Sequence, residues 1–310
     1  MTAAAQPRAS LLGEAGVVAV AAVVAWLAGT HPLMMPVWGP WDFSWPAFLA
    51  AGFALLWFLR GLRRFQATRH FPRWRTVCFL LGLASIYGVL LTHFDYVAQH
   101  MFVLNRVQHA VMHHIGPFLI ALSWPGEIMA LGMPPLALRC CISGPVLRVL
   151  RVLQQPVLAV VLFEGLLMLW LVPVIMFRAM FDWLLYSIMN ASMVIDGLLF
   201  WFLVLDPRPV PHAPIGFFTR LALAFLIIFP QIGIGTALGL VQHDLYPSFS
   251  MCGRVFPDIG PLLDQQLGGL VLWIPAGMMS AFAAVLIMSR MFMHEDNMAR
   301  TVAWTAREVL

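Results

Sequence analysis

Charge is what this chain has least of. Only 10% of its 310 residues are Asp, Glu, Lys or Arg, and lysine is absent: all 18 basic residues are arginine. A soluble domain carries about 25% charged residues. So few charges cannot coat a 34.6 kDa globule in water. Cysteine is scarce as well, with four in the chain, which excludes a disulfide scaffold. Disorder is excluded from the other direction, because 61% of the residues are hydrophobic. No nucleophile elbow, P-loop or HExxH pattern is present. The pI near 9.2 comes with no basic face outside loops, so nucleic acid is not an expected partner. Bilayer orientation accounts better for the arginines.

What the chain has in abundance is long apolar runs. They lie at about 11–29, 46–60, 75–93, 100–123, 156–176, 183–205, 217–240 and 267–290. A membrane-spanning helix needs about 20 mostly apolar residues, whereas a spanning strand alternates over roughly ten. Helices alone satisfy the backbone within such runs in lipid. The expected fold is therefore an all-α polytopic transmembrane helix bundle of about eight helices. The expected division is an N-terminal helix and outer loop (1–45), a seven-helix membrane core (46–295) and a cytoplasmic tail (296–310). No internal repeat or pair of broken helices suggests a transporter.

Arginine positions give the orientation. With a cytoplasmic N-terminus and eight alternating spans, the inner loops hold Arg8, Arg60, Arg63, Arg64, Arg69, Arg73, Arg75, Arg139, Arg148, Arg151, Arg208, Arg220, Arg290, Arg300 and Arg307. Only Arg106, Arg178 and Arg254 fall toward the outer side. This bias places both termini in the cytoplasm. Residues 8–29 also resemble a signal peptide, but Glu14 and a barely basic start favour a retained helix.

The densest chemical cluster is HFDYVAQHMFVLNRVQHAVMHH at 93–114, with five of the ten histidines. On an α-helix, His109, Met112 and His113 stand at i, i+3 and i+4 on one face. Two imidazoles and a thioether there suit a soft ion such as copper(I). His93 and His100 lie near the outer end, where they can receive metal from outside. His114 points about 100° away from His113 on the same helix. The alternative is that these histidines hydrogen-bond to neighbouring helices, as polar side chains in bundles do. Bis-imidazole haem is disfavoured, since adjacent turns of one helix cannot supply both axial positions. Met34–Met35 and Met251–Cys252 are further copper candidates on the outer side, although most methionines fill gaps in the bundle. Glu164 and Asp196 fall inside spans, where an unpaired carboxylate is costly; Asn190 is a candidate partner.

Several stretches resemble the CtaG-type cytochrome c oxidase assembly factors. They are LRGLRRFQATRHFPRWRTVCFLLGLASIYGVLL (59–91), VQHAVMHHIGPFLIAL (107–122), DGLLFW (196–201) and DQQLGGLVLW (264–273), in one order. The resemblance implies a seven-helix core with an added N-terminal helix, in a bacterial cytoplasmic (inner) membrane. It implies a non-enzymatic role in maturing a haem–copper oxidase of the respiratory chain, with copper handled at the outer face. The implied partners are oxidase subunits or a copper chaperone. His109, Gln108, Asp264 and Gln265 match the family pattern. Asn105, Leu171 and Asn190 stand where that pattern places histidines. The alternative is a structural partner of a respiratory complex that binds no metal.

Overall fold

A computed structural model describes residues 5–308 apart from 252, and the side chains of 12–300 apart from 252. Its helices are α1 (Ala5–Thr30), α2 (Trp45–Gln66), α3 (Arg73–Leu90), α4 (His93–Ala98), α5 (Phe102–His109), a π-helical segment (Ala110–Ile115), α6 (Gly116–Ser123) and α7 (Gly126–Gly132). They continue as α8 (Pro135–Cys141), α9 (Gly144–Leu153), α10 (Pro156–Leu171), α11 (Pro173–Phe181), α12 (Trp183–Val204), α13 (Phe217–Leu226), α14 (Ile228–Leu240) and α15 (Pro261–Glu308). Among the described residues there is no strand. Six helices are long and apolar enough to cross a membrane, with α13 and α14 forming one of them. Two bent pairs raise the number to as many as eight where each pair is one span: 102–123 with α7 at 79°, and α9 with α10 at 74°. The chain is an all-α polytopic helix bundle, and each of the eight apolar runs falls on one of these spans.

Local chemistry explains where the helices start and stop. Proline occupies the first turn of α2, α8, α9, α10 and α11, where its missing N–H costs nothing. Asp182 caps α12, its Oδ1 accepting from the amides of Leu184 (2.9 Å) and Leu185 (3.0 Å). The apolar run at 156–176 breaks at Val172, whose extended backbone (ψ 119°) is what a following proline imposes. The run at 100–123 winds as a π-helix just before Pro117. Pro117 has no N–H for the carbonyl of His113, so the α-helical ladder is interrupted there.

Close crossings rest on glycine. A Cβ on Gly132 of α7 would run into the carbonyl of Trp57 on α2, and one on Gly61 into that of Ile128. Such small-residue contacts let membrane helices approach through their backbones. Glu14 of α1 is not stranded in lipid: it pairs with Arg60 of α2 at 2.6 Å and accepts from Trp57 Nε1 at 3.1 Å.

The two ends of the bundle differ. At one end Asp206 is chelated by Arg208, Arg220 donates to the carbonyls of Asp206, Arg208 and Ile215, and Arg290 donates to that of Leu205. α3 starts at this arginine-rich end, where Arg75 is close enough to act on Arg290, and the C-terminal turns of α2, with Arg60, Arg63 and Arg64, lead directly into it. At the opposite end the 31–44 loop meets α4: Trp41 packs on His93 with ring centroids 4.1 Å apart.

Candidate functional site

Five ring nitrogens without a partner mark the middle of the bundle. They are Nδ1 and Nε2 of His109, Nδ1 of His113, and Nδ1 and Nε2 of His114. The three side chains are buried, at 4%, 0% and 2% exposure. Nε2 of His113 lies 3.4 Å from Oδ2 of Asp196 on α12. The α12 backbone comes this close because position 197 is glycine: a Cβ there would overlap the carbonyl of His113. A second carboxyl, Glu164 on α10, accepts from Gln231 Nε2 of α14 at 2.6 Å, while its Oε2 has no partner. Phe163, beside Glu164, stacks on His113 (centroids 3.9 Å apart) and meets His114 edge to face at 5.1 Å.

This arrangement departs from the α-helical wheel. The π-helical winding and the shared contact with Phe163 bring the His113 and His114 rings to a centroid distance of 4.8 Å, where ideal α-helical geometry separates their directions. The same winding removes the basis for one His109–Met112–His113 face. Met112 is wholly buried in an apolar cluster with Leu167, Trp170, Met189 and Met193.

His93 and His100 are not gathered into this cluster. His93 sits between Trp41 and Tyr96, its Nδ1 buried without a partner. His100 Nδ1 lies 2.9 Å from the carbonyl of Tyr96. Among the described residues no group of three or more His, Cys, Asp and Glu side chains is placed to hold a metal ion. Met34 and Met251 are exposed; Cys252 lies outside the described residues.

The remaining singled-out residues tie the cluster in place. Gln108 Nε2 donates to the carbonyl of Val89 (2.8 Å) and to Oδ1 of Asp95 (2.5 Å), which also accepts from the Tyr186 hydroxyl (2.7 Å). Burial, reinforced by Asp42 nearby, pushes the Asp95 carboxyl up to about 6, against the two hydrogen bonds that favour its ionised form. Asp264 caps α5 from another helix. Its oxygens accept from the amides of Phe102 (2.9 Å) and Val103 (2.8 Å), and Arg254 Nη2 joins Oδ2 at 2.6 Å. Gln265 accepts from the amide of Leu245 (2.8 Å) and donates to the carbonyl of Leu238 (3.3 Å).

Where histidines are implied by resemblance, other chemistry stands. Asn105 accepts from Arg106 Nη2, the buried Leu171 offers its carbonyl to Tyr246 Oη (2.8 Å), and Asn190 keeps a buried Oδ1 without a partner. Asn190 does not partner Glu164 or Asp196 as anticipated; Gln231 and His113 do. Gln231 was the residue missed, and its signal was a lone amide in the apolar run of α14.

No curated protein and no solved structure matches the chain. The family model described as "Cytochrome c oxidase caa3 assembly factor (Caa3_CtaG)" matches residues 56–294, covering α3 to α14 entirely, half of α2 and most of α15. On that match, the chain belongs to the cytochrome c oxidase caa3 assembly factor family.

Proposed function

We propose that the chain serves oxidase assembly by taking copper as cargo on two of the buried imidazoles of His109, His113 and His114, without catalysing a reaction of its own. The observation that carries this reading is the set of five unpartnered imidazole nitrogens. A buried polar atom left without a partner costs about 1–3 kcal/mol, so five within residues 109–114 call for something that binds them. Imidazole suits copper, and Asp196 beside His113 supplies the kind of carboxylate that orients a ligating ring. The donor set is imidazole-only, because Met112 belongs to the apolar packing. In this reading the arginine-rich end faces the cytoplasm by charge bias, both termini lie there, and copper enters from the His93 and His100 end of a bacterial inner membrane. Oxidase subunits or a copper chaperone are the exchange partners.

The test is copper bound per chain after purification under reducing conditions, by mass spectrometry. The expectation is about one equivalent, falling at least about tenfold in His109→Ala. A wild-type protein holding copper at the level of His109→Ala would sink the cargo role.

A second reading is favoured by one specific observation, the absence of any three-side-chain His, Cys, Asp and Glu metal group among the described residues. The chain then acts as a metal-free partner of oxidase subunits, and internal waters satisfy the imidazoles. Oxidase assembly that survives His109→Ala with His113→Ala, but not deletion of the chain, supports this second reading.

A further inference from the structure

Four guanidinium groups gather around one carboxylate at the arginine-rich end. Asp206 is already taken, since Arg208 donates Nε to its Oδ1 (2.9 Å) and Nη2 to its Oδ2 (2.7 Å). Arg220 is wholly buried and donates only to backbone carbonyls, those of Asp206, Arg208 and Ile215. Arg290 of α15 reaches the adjoining carbonyl, that of Leu205, through Nη1 at 2.7 Å. Leu205 and Asp206 are consecutive, so the guanidiniums of Arg220 and Arg290 are neighbours. Arg75, in the first turn of α3, is close enough to act on Arg290 as a further like charge. Among the described residues no carboxylate forms an ion pair with Arg75, Arg220 or Arg290.

Part of this arrangement is structural. α12 ends at Val204, and Arg220 and Arg290 cover carbonyls just beyond that end, where a helix leaves oxygens unpaired. Arg75 has no such duty. Its guanidinium makes no hydrogen bond among the described residues, and its Nε is buried without a partner, as is Nε of Arg220. Arg75 and Arg290 are half-buried, unlike the exposed Arg63, Arg64 and Arg73 of the same end. Like charges withdrawn from water repel, and a cation there without a counter-charge is costly. One carboxylate cannot neutralise four guanidiniums. α3 begins and α12 ends here, so the uncompensated site lies at the level of the headgroups.

We propose that Arg75, Arg220 and Arg290 form a binding site for a phosphate group, contacted by Arg75 and by the unused donors of Arg290, with Arg220 supplying charge. Guanidinium forks match the geometry of phosphate oxygens, and basic pockets between membrane helices take phosphorylated headgroups. Two sources carry this chemistry, an anionic phospholipid headgroup and free phosphate. The site is independent of the histidine cluster and of copper.

The test follows thermal unfolding of the full chain, purified in detergent and stripped of lipid. Phosphatidylglycerol is compared with phosphatidylcholine, and inorganic phosphate with chloride at equal ionic strength. We expect phosphatidylglycerol to raise the melting temperature more than phosphatidylcholine does. The concentration needed should rise about tenfold or more in Arg75→Gln, because a hydrogen bond to a charged group is lost. Without ligand, Arg75→Gln should melt with the wild type, since Arg75 bonds to nothing in the chain. Arg139→Gln, at an exposed arginine of α8, should respond to phosphatidylglycerol as the wild type does. Phosphatidylglycerol acting alone assigns the site to a headgroup, and inorganic phosphate acting in its place or beside it assigns it to free phosphate. A wild type that distinguishes neither the two lipids nor the two anions would overturn the proposal, as would Arg75→Gln responding like the wild type. Should Arg75→Gln unfold on its own, native mass spectrometry of the wild type decides. There, no excess of phosphatidylglycerol over phosphatidylcholine and no phosphate adduct would overturn it.

Discussion

Gln231 and Glu164 meet across 2.6 Å in the interior of the bundle, an amide of α14 donating to a carboxyl of α10. Glu164 Oε2 and Gln231 Oε1 are left without a partner. Residues 67 positions apart are thus joined by one polar bond in an apolar setting.

Breaking that bond from one side strands the other group. Glu164→Leu should cost about 1–3 kcal/mol, because Gln231 keeps its desolvation penalty and loses its acceptor. Replacing both by leucine should recover part of the loss, since two apolar side chains leave nothing unsatisfied. Thermal unfolding in detergent of the two single variants and the double variant measures this. A double variant less stable than either single one would contradict the account.

Asp95 makes the opposite end sensitive to pH. Its folded value is raised from 3.8 to about 6, so the native state binds this proton more tightly than the unfolded chain does. Stability from this group is therefore full below about 3.8 and declines as pH rises toward 6, flattening above. The shift corresponds to roughly 3 kcal/mol at most, at about 1.36 kcal/mol per unit. Asp95→Asn keeps an oxygen for the Tyr186 hydroxyl and removes the titration. Its melting temperature should exceed that of the wild type at pH 7 and approach it at pH 4. A wild type whose melting temperature rises by the same amount as that of Asp95→Asn between pH 4 and 6 would exclude this role for Asp95.

Gly197 holds α12 against the π-helical segment. Gly197→Ala forces a methyl group onto the carbonyl of His113, and backbone does not yield as a side-chain end does. We expect destabilisation of about 1–3 kcal/mol and a longer His113–Asp196 separation. Gly165→Ala on α10, where no atom lies within 4 Å of the added carbon, is the control and should be near neutral. Equal melting temperatures for the two variants would disprove the close contact.

Much of the architecture was legible without coordinates, because hydrocarbon imposes one simple rule on the backbone. Six of the apolar runs became single apolar helices of spanning length and the other two fell on bent pairs, and Pro173 and Pro117 stood where the α-helical geometry fails. The candidate site was half legible. Its histidines stand out as costly residues in an apolar segment. Their arrangement was hidden, since a helical wheel assumes regular winding and residues 110–115 do not wind regularly. For that reason the apolar packing of Met112 could not be read from spacing. The partners were hidden for another: Gln231 reaches Glu164, and Asp264 reaches Phe102, through tertiary packing that no local spacing encodes. Gln108 and Asp264 stood out only by kinship, which is silent on their role as struts.

The cap that Asp264 places on α5 has a mechanical side. Two hydrogen bonds from backbone amides join the first turn of α15 to the root of the histidine-bearing segment, and Arg254 holds the accepting carboxylate. Sliding or rolling one helix past the other requires giving up both hydrogen bonds together. A force applied to the N-terminal tip of α15 is therefore delivered, as through a rigid linkage, to the segment that carries His109.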